Sequence, residues 1–328
     1  HCWSTASRTR RANRSLTVVS STGTIVYNET VYVVGVSWRE NLSYLNVVLG
    51  DQKERLYVPA AGLPMSFKVD QQKARRCLGY TQRSHDDIMY MACKNVPELG
   101  RLCASCNKSD RIQSANLHQA HRRDMALMEP SIKQYLEHPH RLYLAIFRDG
   151  STKVGTTRGA NGGQRLIEQG AWFAHYVALA NNGFEIRELE DLLTDVIGLK
   201  QAVNSTRKVI GHMQPLEDEI LRSKLSEIQS ASKEVLDERW SDSVTPLNVS
   251  WSNPAAALTT WIRTAKYPSP LDSGTHDFEI DSMIGRLAGI NMRGFPQTLI
   301  ADLSPLFGQP LQFGDYEADE ISIQEALF

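Results

Sequence analysis

The chain has 328 residues, 41% of them hydrophobic and 22% charged, with a formal net charge of −1. That length allows two or three domains and a sizeable core, and the composition is that of a soluble globular protein. No run of about 18 apolar residues occurs, which excludes an apolar membrane-spanning helix, and the near-zero total excludes a strongly basic binder on net charge alone.

The distribution of charge says more. Residues 1–165 hold 24 Lys and Arg against 13 Asp and Glu, and residues 166–328 hold 12 against 24. A basic front and an acidic back fit a molecule that presents one face to a polyanion. They fit equally a chain whose halves fold together and offset each other.

In chain order, the first thirty residues lack the apolar core of a secretory leader. They carry Arg8, Arg10, Arg11 and Arg14 and are expected to be flexible and solvated, with a cytoplasmic location. The chain starts at His1, so an initiator methionine is expected to have been omitted or removed. Residues 16–58 alternate Val, Thr, Tyr and Ile with Gly and Asn breaks and read as short strands. Residues 283–313 have the same character, and Gly23-Thr24-Ile25 and Gly285-Arg286-Leu287 each begin a strand after a glycine. Short isolated strands are marginal, so the two ends are expected to meet in one small β-barrel or sandwich. The alternative is two separate small sheets.

Cys77, Cys93, Cys103 and Cys106 fall within about thirty residues, with only Cys2 elsewhere. Cys103-Ala104-Ser105-Cys106 is a C-x2-C pair able to grip one ion from a tight turn. The four predict a closed, structural zinc site; nothing indicates the oxidising compartment that disulfides need. Arg75, Arg76, Arg83, Lys94, Arg101, Lys108 and Arg111 surround them, either as phosphate contacts or as a solvated face. Residues 112–137 read as helical, kinked or divided at Pro130. His118 and His121 lie three apart and read as a solvated pair or as substitute zinc ligands.

From His140 the pattern changes. Leu142, Leu144 and Ile146 alternate with Tyr143, Ala145 and Phe147, as in a strand buried on both faces. Asp149-Gly150 is a hairpin turn signal, and Lys153 to Thr157 reads as the returning strand, setting Tyr143 and Lys153 near each other. From Gln164 the pattern is helical, with Leu166, Ile167, Ala171, Phe173 and Ala174 on one side. A second helix is predicted from about Glu185 to Val196. The predicted order is hairpin, loop, helix, helix, an α+β arrangement. Leu216 to Trp240 reads as a long amphipathic helix, packing on the core or on a second copy in a homodimer. A proline-punctuated linker leads into the last β segment, and an acidic tail (Asp315, Glu317, Asp319, Glu320) is expected to be solvated.

Arg141-Leu142-Tyr143, Lys153-Val154-Gly155, Arg165 and Glu190 resemble, in that order, the GIY-YIG nuclease core in altered form. The first triplet keeps its tyrosine and the second its glycine, with lysine in place of tyrosine. More widely, Arg75-Arg76-Cys77, the later cysteines, HRLYLA, KVG and EQGA resemble an uncharacterised bacterial zinc-containing family with this core. The resemblance covers most of the chain. Together with the chain-order reading it divides the chain into an N-terminal β module (1–72), a four-cysteine zinc module (73–111), a GIY-YIG-like core (112–212), the long helix (213–245), and a linker with a C-terminal β module (246–328).

The function so implied is nucleic-acid binding, DNA ahead of RNA, with divalent-metal-dependent phosphodiester cleavage as a GIY-YIG-type endonuclease. Glu190 is then the ligand for Mg2+ or Mn2+, held by one carboxylate plus waters. Arg165 pairs with phosphate. Tyr143 orients or deprotonates the water, with Lys153 expected to lower its pKa. His140, Arg158 and Gln169 are candidate substrate contacts. Taken singly, Tyr143 also reads as a core tyrosine, Lys153 as solvated, and Arg165 with Glu190 as an ion pair between helices. Two alternatives stay open: a non-catalytic zinc-containing nucleic-acid binder, and an enzyme reusing the core on a small substrate. The glycines before Gln164 lack the G-K-[ST] ending of a nucleotide loop.

Overall fold

The computed structural model describes residues 29–83, 88–98, 100–118, 120–159, 162–259, 261 and 264–319. The predicted behaviour of residues 1–28, the strand at Gly23-Thr24-Ile25 included, lies outside these residues, as does Glu320 of the acidic tail.

Strands β1 (Val31–Arg39), β2 (Leu42–Leu49), β3 (Leu56–Pro59) and β4 (Leu63–Val69) come first. A two-residue turn joins β1 and β2, with Glu40 and Asn41 both at positive φ (49° and 65°), the geometry that matches the twist of paired strands. A short hairpin, β5 (Tyr80–Arg83) and β6 (Ile88–Met91), stands as its own sheet, followed by α1 (Ala104–His118) and α2 (Pro130–Leu136). The middle of the chain runs β7 (His140–Ile146), β8 (Thr152–Arg158), α3 (Gly162–Gln169), β9 (Phe173–Ala180), α4 (Glu185–Ile197), α5 (Ser205–Met213), α6 (Asp218–Leu236) and β10 (Val244–Ser252). Strands β11 (Ala265–Lys266), β12 (Thr275–Ile284), β13 (Leu287–Asn291), β14 (Leu299–Asp302) and β15 (Pro310–Phe313) follow. The fold is mixed α+β. No helix among the described residues is long and apolar enough to cross a membrane.

The two ends of the chain do meet in one sheet, of order β11-β14-β13-β12-β4-β15-β1-β2-β3. Strand β15 slots between β4 and β1, pairing Leu311 with Val69 on one side and Val31 on the other. Val31, Val47, Phe67, Phe278, Ile280, Ile290 and Phe313 share its core, and each such side chain contributes about 1.5–3 kcal/mol by burial. The expected small barrel is corrected: the order ends at β3 and β11, which do not pair with each other, so the sheet is open.

The second sheet has the order β10-β9-β7-β8. Period-two alternation divides β7 between two cores. Leu142, Leu144 and Ile146 pack with Ile186, Leu189 and Leu193 of α4 and Leu221 and Leu225 of α6. Tyr143, Ala145 and Phe147 pack with Leu166, Ala174 and Tyr176 on the other face. Strand β9 corrects the sequence reading, which placed Phe173 and Ala174 on a helix. Gly170, at φ 70°, ends α3 in a left-handed cap. Its N–H donates to Ile167 O (3.0 Å) and Ala171 N–H to Leu166 O (3.1 Å), a Schellman closure. The chain then leaves extended as a central strand, whose short apolar run fits period two as well as helical period. Helix α1 begins at Ala104, earlier than expected, and the segment is divided as expected, with Pro130 starting α2.

Candidate functional site

Two places gather chemistry. In the first, Cys77, Cys93, Cys103 and Cys106 bring their sulfurs within 4.8 Å of one another. The Cys93 and Cys103 sulfurs are 3.8 Å apart, the edge of a tetrahedron with metal–sulfur bonds of about 2.3 Å. Cys77 and Cys93 flank the β5–β6 hairpin; Cys103 and Cys106 sit at the start of α1, where the Cys106 N–H lowers the Cys103 thiol to about 6 while burial raises that of Cys106. Backbone N–H groups of Gly79 and Cys103 donate to Cys77 Sγ at 3.4 and 3.2 Å, and that of Asn95 to Cys93 Sγ at 3.4 Å. All four are free thiols, three of them buried. The donor set fits a metal ion such as zinc, and as a closed set it suits structure rather than chemistry. Arg76, expected at the surface, is buried instead. Its guanidinium donates to Cys93 O (3.1 Å), Gly50 O (2.6 Å) and Gln52 O, tying the metal module to the large sheet.

The second place is the Tyr143 face of the core. The hairpin turn is built as its residues dictate. Gly150 has φ 76°, and Asp149 Oδ1 accepts from Ser151 N–H at 3.0 Å. The register pairs Tyr143 with Gly155 and Ala145 with Lys153, so Tyr143 and Lys153 are diagonal neighbours on one face. Lys153 Nζ lies 5.9 Å from the Tyr143 ring centroid. Tyr143 is 1% exposed and Lys153 8%. The tyrosine ring lies flat across Gly155: a Cβ there would meet Tyr143 Oη at 2.4 Å. Its hydroxyl donates to Gln169 Oε1 at 3.3 Å, and Tyr176 stacks edge-on at 6.4 Å.

Arg165, exposed on α3, acts electrostatically on Tyr143, Lys153 and Glu190. Glu190 of α4 is 8% exposed. Burial raises its carboxyl to about 7, against the opposing pull of Arg187, Lys153 and Arg165. Burial and Arg165 lower Lys153 to about 8. Tyr143 moves against expectation: burial raises it to about 12, outweighing Arg165 and the Gln169 hydrogen bond, which pull it down. No salt bridge joins Arg165 to Glu190 among the described residues. Among those residues the four cysteines are the one cluster of three or more metal-ligating side chains, and Glu190 belongs to none.

Gln169 thus joins the site, while His140 and Arg158 do not. They pair across β7 and β8, on the opposite face by alternation, with Tyr135 against both. His140 is buried, its Nδ1 against His138 O at 2.8 Å, and burial lowers it to about 4. His121 is not solvated: its Nε2 meets Asp191 Oδ2 at 3.0 Å, and among the described residues it lies outside the cysteine cluster.

Lys208 of α5 is a member that the sequence reading missed. Its Nζ donates to Gln169 O at 2.6 Å and lies 4.5 Å from the Phe147 ring centroid. Burial, Arg286 and Lys153 lower it to about 8. No local pattern points to it; only the fold brings α5 against the hairpin, where a Cβ on Gly211 would meet Asp149 N at 2.5 Å.

No curated protein and no solved structure matches the chain. Residues 64–268, more than half of the chain, match the family described as "Protein of unknown function (DUF2797)". That stretch spans the metal module, the Tyr143 face and α6, and the chain belongs to this family.

Proposed function

We propose that the chain binds nucleic acid by gripping backbone phosphate at the Tyr143 face. The observation that carries this reading is the convergence of Lys153, Arg165 and Lys208 around Tyr143 and Gln169, with Glu190 as the near carboxylate. Gathering three cations costs Coulomb energy, and an anion relieves it. Arg165 offers the planar fork that phosphate takes bidentately, and Lys208 a point charge. In this reading zinc on Cys77, Cys93, Cys103 and Cys106 holds the front module rigid. The test is binding of labelled single- and double-stranded DNA and RNA to wild type, Arg165→Ala and Lys208→Ala. Weaker binding in both variants is expected, and unchanged binding in both contradicts the grip.

A second reading, divalent-metal-dependent cleavage at the same place, has one specific support. Glu190 and Lys153 titrate near neutrality beside Arg165, where a group can take and return protons. The likeness of Tyr143, Lys153-Val154-Gly155, Arg165 and Glu190 to the GIY-YIG pattern points the same way. Adding Mg2+ or Mn2+ to the bound oligonucleotide separates the readings: cleavage lost in Glu190→Gln supports the nuclease, and binding without cleavage leaves the grip alone.

A further inference from the structure

The cations of the core do not stop at Lys208. The turn between β12 and β13 holds Gly285 at φ 60°, and a Cβ there would stand 2.8 Å from Gly170 N, at the cap of α3. Only glycine lets these two backbones meet. Trp38 Nε1 donates to Gly285 O at 3.0 Å and secures the contact. The contact delivers the next residue, exposed Arg286, to the start of α5, where its Nη2 donates to Ser205 Oγ at 2.9 Å. There the Arg286 charge acts on Lys208.

Arg101 lies further along the same path. Arg286 O accepts from Leu303 N–H at 3.2 Å. The chain then turns through Leu303 to Phe307, and the Arg101 guanidinium lies 5.6 Å from the Phe307 ring centroid. Arg101 O accepts from Leu78 N–H at 3.0 Å, between Cys77 and Gly79 of the metal module. One acid, Asp302, acts on Lys208. Its Oδ1 is already engaged by Ser304 N–H at 2.9 Å.

We propose that Arg165, Lys208, Arg286 and Arg101 form one track for a nucleic-acid backbone, running from the core across the Gly285 turn to the metal module. It rests on the reading of the core as a phosphate grip and adds its path. A row of cations fixed by a backbone carbonyl, a serine and two aromatic rings suits a polymer of regular phosphates, with guanidinium forks for bidentate contact. A membrane surface is recognised instead by mobile basic clusters beside inserting apolar side chains. On this account the metal module's task is to orient Arg101.

The test is the salt dependence of affinity for short and long labelled oligonucleotides, single- and double-stranded. Arg286→Gln and Arg101→Ala are each expected to weaken binding several-fold and to lower the log–log salt slope by about 1, one phosphate contact each. Asp302→Asn keeps its acceptor for Ser304 and is expected to tighten binding. Metal content and circular dichroism verify folding; should Arg101→Ala fail to fold, Arg286→Gln and Asp302→Asn decide. Unchanged slopes beside an Arg165→Ala that weakens binding overturn the track and leave the grip standing. A wild type that binds no oligonucleotide removes both. So does binding to phosphatidylcholine vesicles containing phosphatidylserine in place of oligonucleotide.

Discussion

A single methyl group added at Gly155 tests the geometry of the Tyr143 face. The new Cβ would stand 2.4 Å from Tyr143 Oη and 2.5 Å from Cζ, against the roughly 3.5–4.0 Å of an unstrained contact. Both atoms belong to a stiff ring, so the clash cannot be absorbed by a flexible chain end. The ring itself is buried, with Tyr176 beside it and its hydroxyl on Gln169. Gly155→Ala is therefore expected to cost about 1–3 kcal/mol as an overpacked core. Urea unfolding followed by tryptophan fluorescence, at fixed metal content, measures it. The double variant with Tyr143→Ala isolates the cause: the alanine at 155 is expected to cost nearly nothing there, a coupling of about 1–3 kcal/mol. Equal costs in both backgrounds, or a neutral Gly155→Ala, would refute the placement of the ring over Gly155.

Cys103→Ser or Cys106→Ser is expected to release the metal and lower the thermal midpoint; structural zinc contributes on the order of 10 kcal/mol to small domains. Native protein without metal by elemental analysis would contradict the four-cysteine site. Glu190 makes a pH signature. Its folded-state carboxyl is raised from 4.5 to about 7, so between those values the folded chain holds a proton that the unfolded chain has released. Stability from this group therefore falls as pH rises through that window. Glu190→Gln is expected to flatten that part of the profile, and an unchanged slope would place Glu190 in water. Lys153, lowered from 10.5 to about 8, contributes the opposite slope: stability rises between about 8 and 10.5, and Lys153→Met is expected to abolish that rise in urea unfolding.

What could be read from the sequence was what local pattern carries. The cysteine spacing pointed to the metal module because ligand identity and proximity are both written along the chain. Asp149-Gly150 fixed a short hairpin, so Tyr143 and Lys153 met on one face without tertiary information. The run from Glu185 kept helical period and is helical to Ile197. The misses are of other kinds. Strand β9 is hidden in the sequence because a short apolar run fits either period, and what decides it is the cap at Gly170. Residues 31–59 and 283–313 do share a sheet, but barrel closure depends on whether β3 meets β11, which no local residue encodes. The upward shift of Tyr143 is not legible in the sequence, because proximity to a cation is local while burial is global. Lys208 and Arg286 were invisible because their place depends on Gly211 at Asp149 and on Gly285 at Gly170. Such approaches join segments tens to more than a hundred residues apart.

The most direct measurement of the proposed grip is the chemical reactivity of Lys208 with and without nucleic acid. Its amine is half-buried and titrates near 8, so it acylates at mildly alkaline pH, and mass spectrometry reads the yield residue by residue. Lys224, exposed on α6, serves as the control. Saturating oligonucleotide is expected to protect Lys208 strongly and Lys224 hardly at all, with protection lost in Arg165→Ala at the same oligonucleotide concentration. Equal labelling of Lys208 in free and oligonucleotide-saturated protein would contradict the claim that the Tyr143 face holds phosphate.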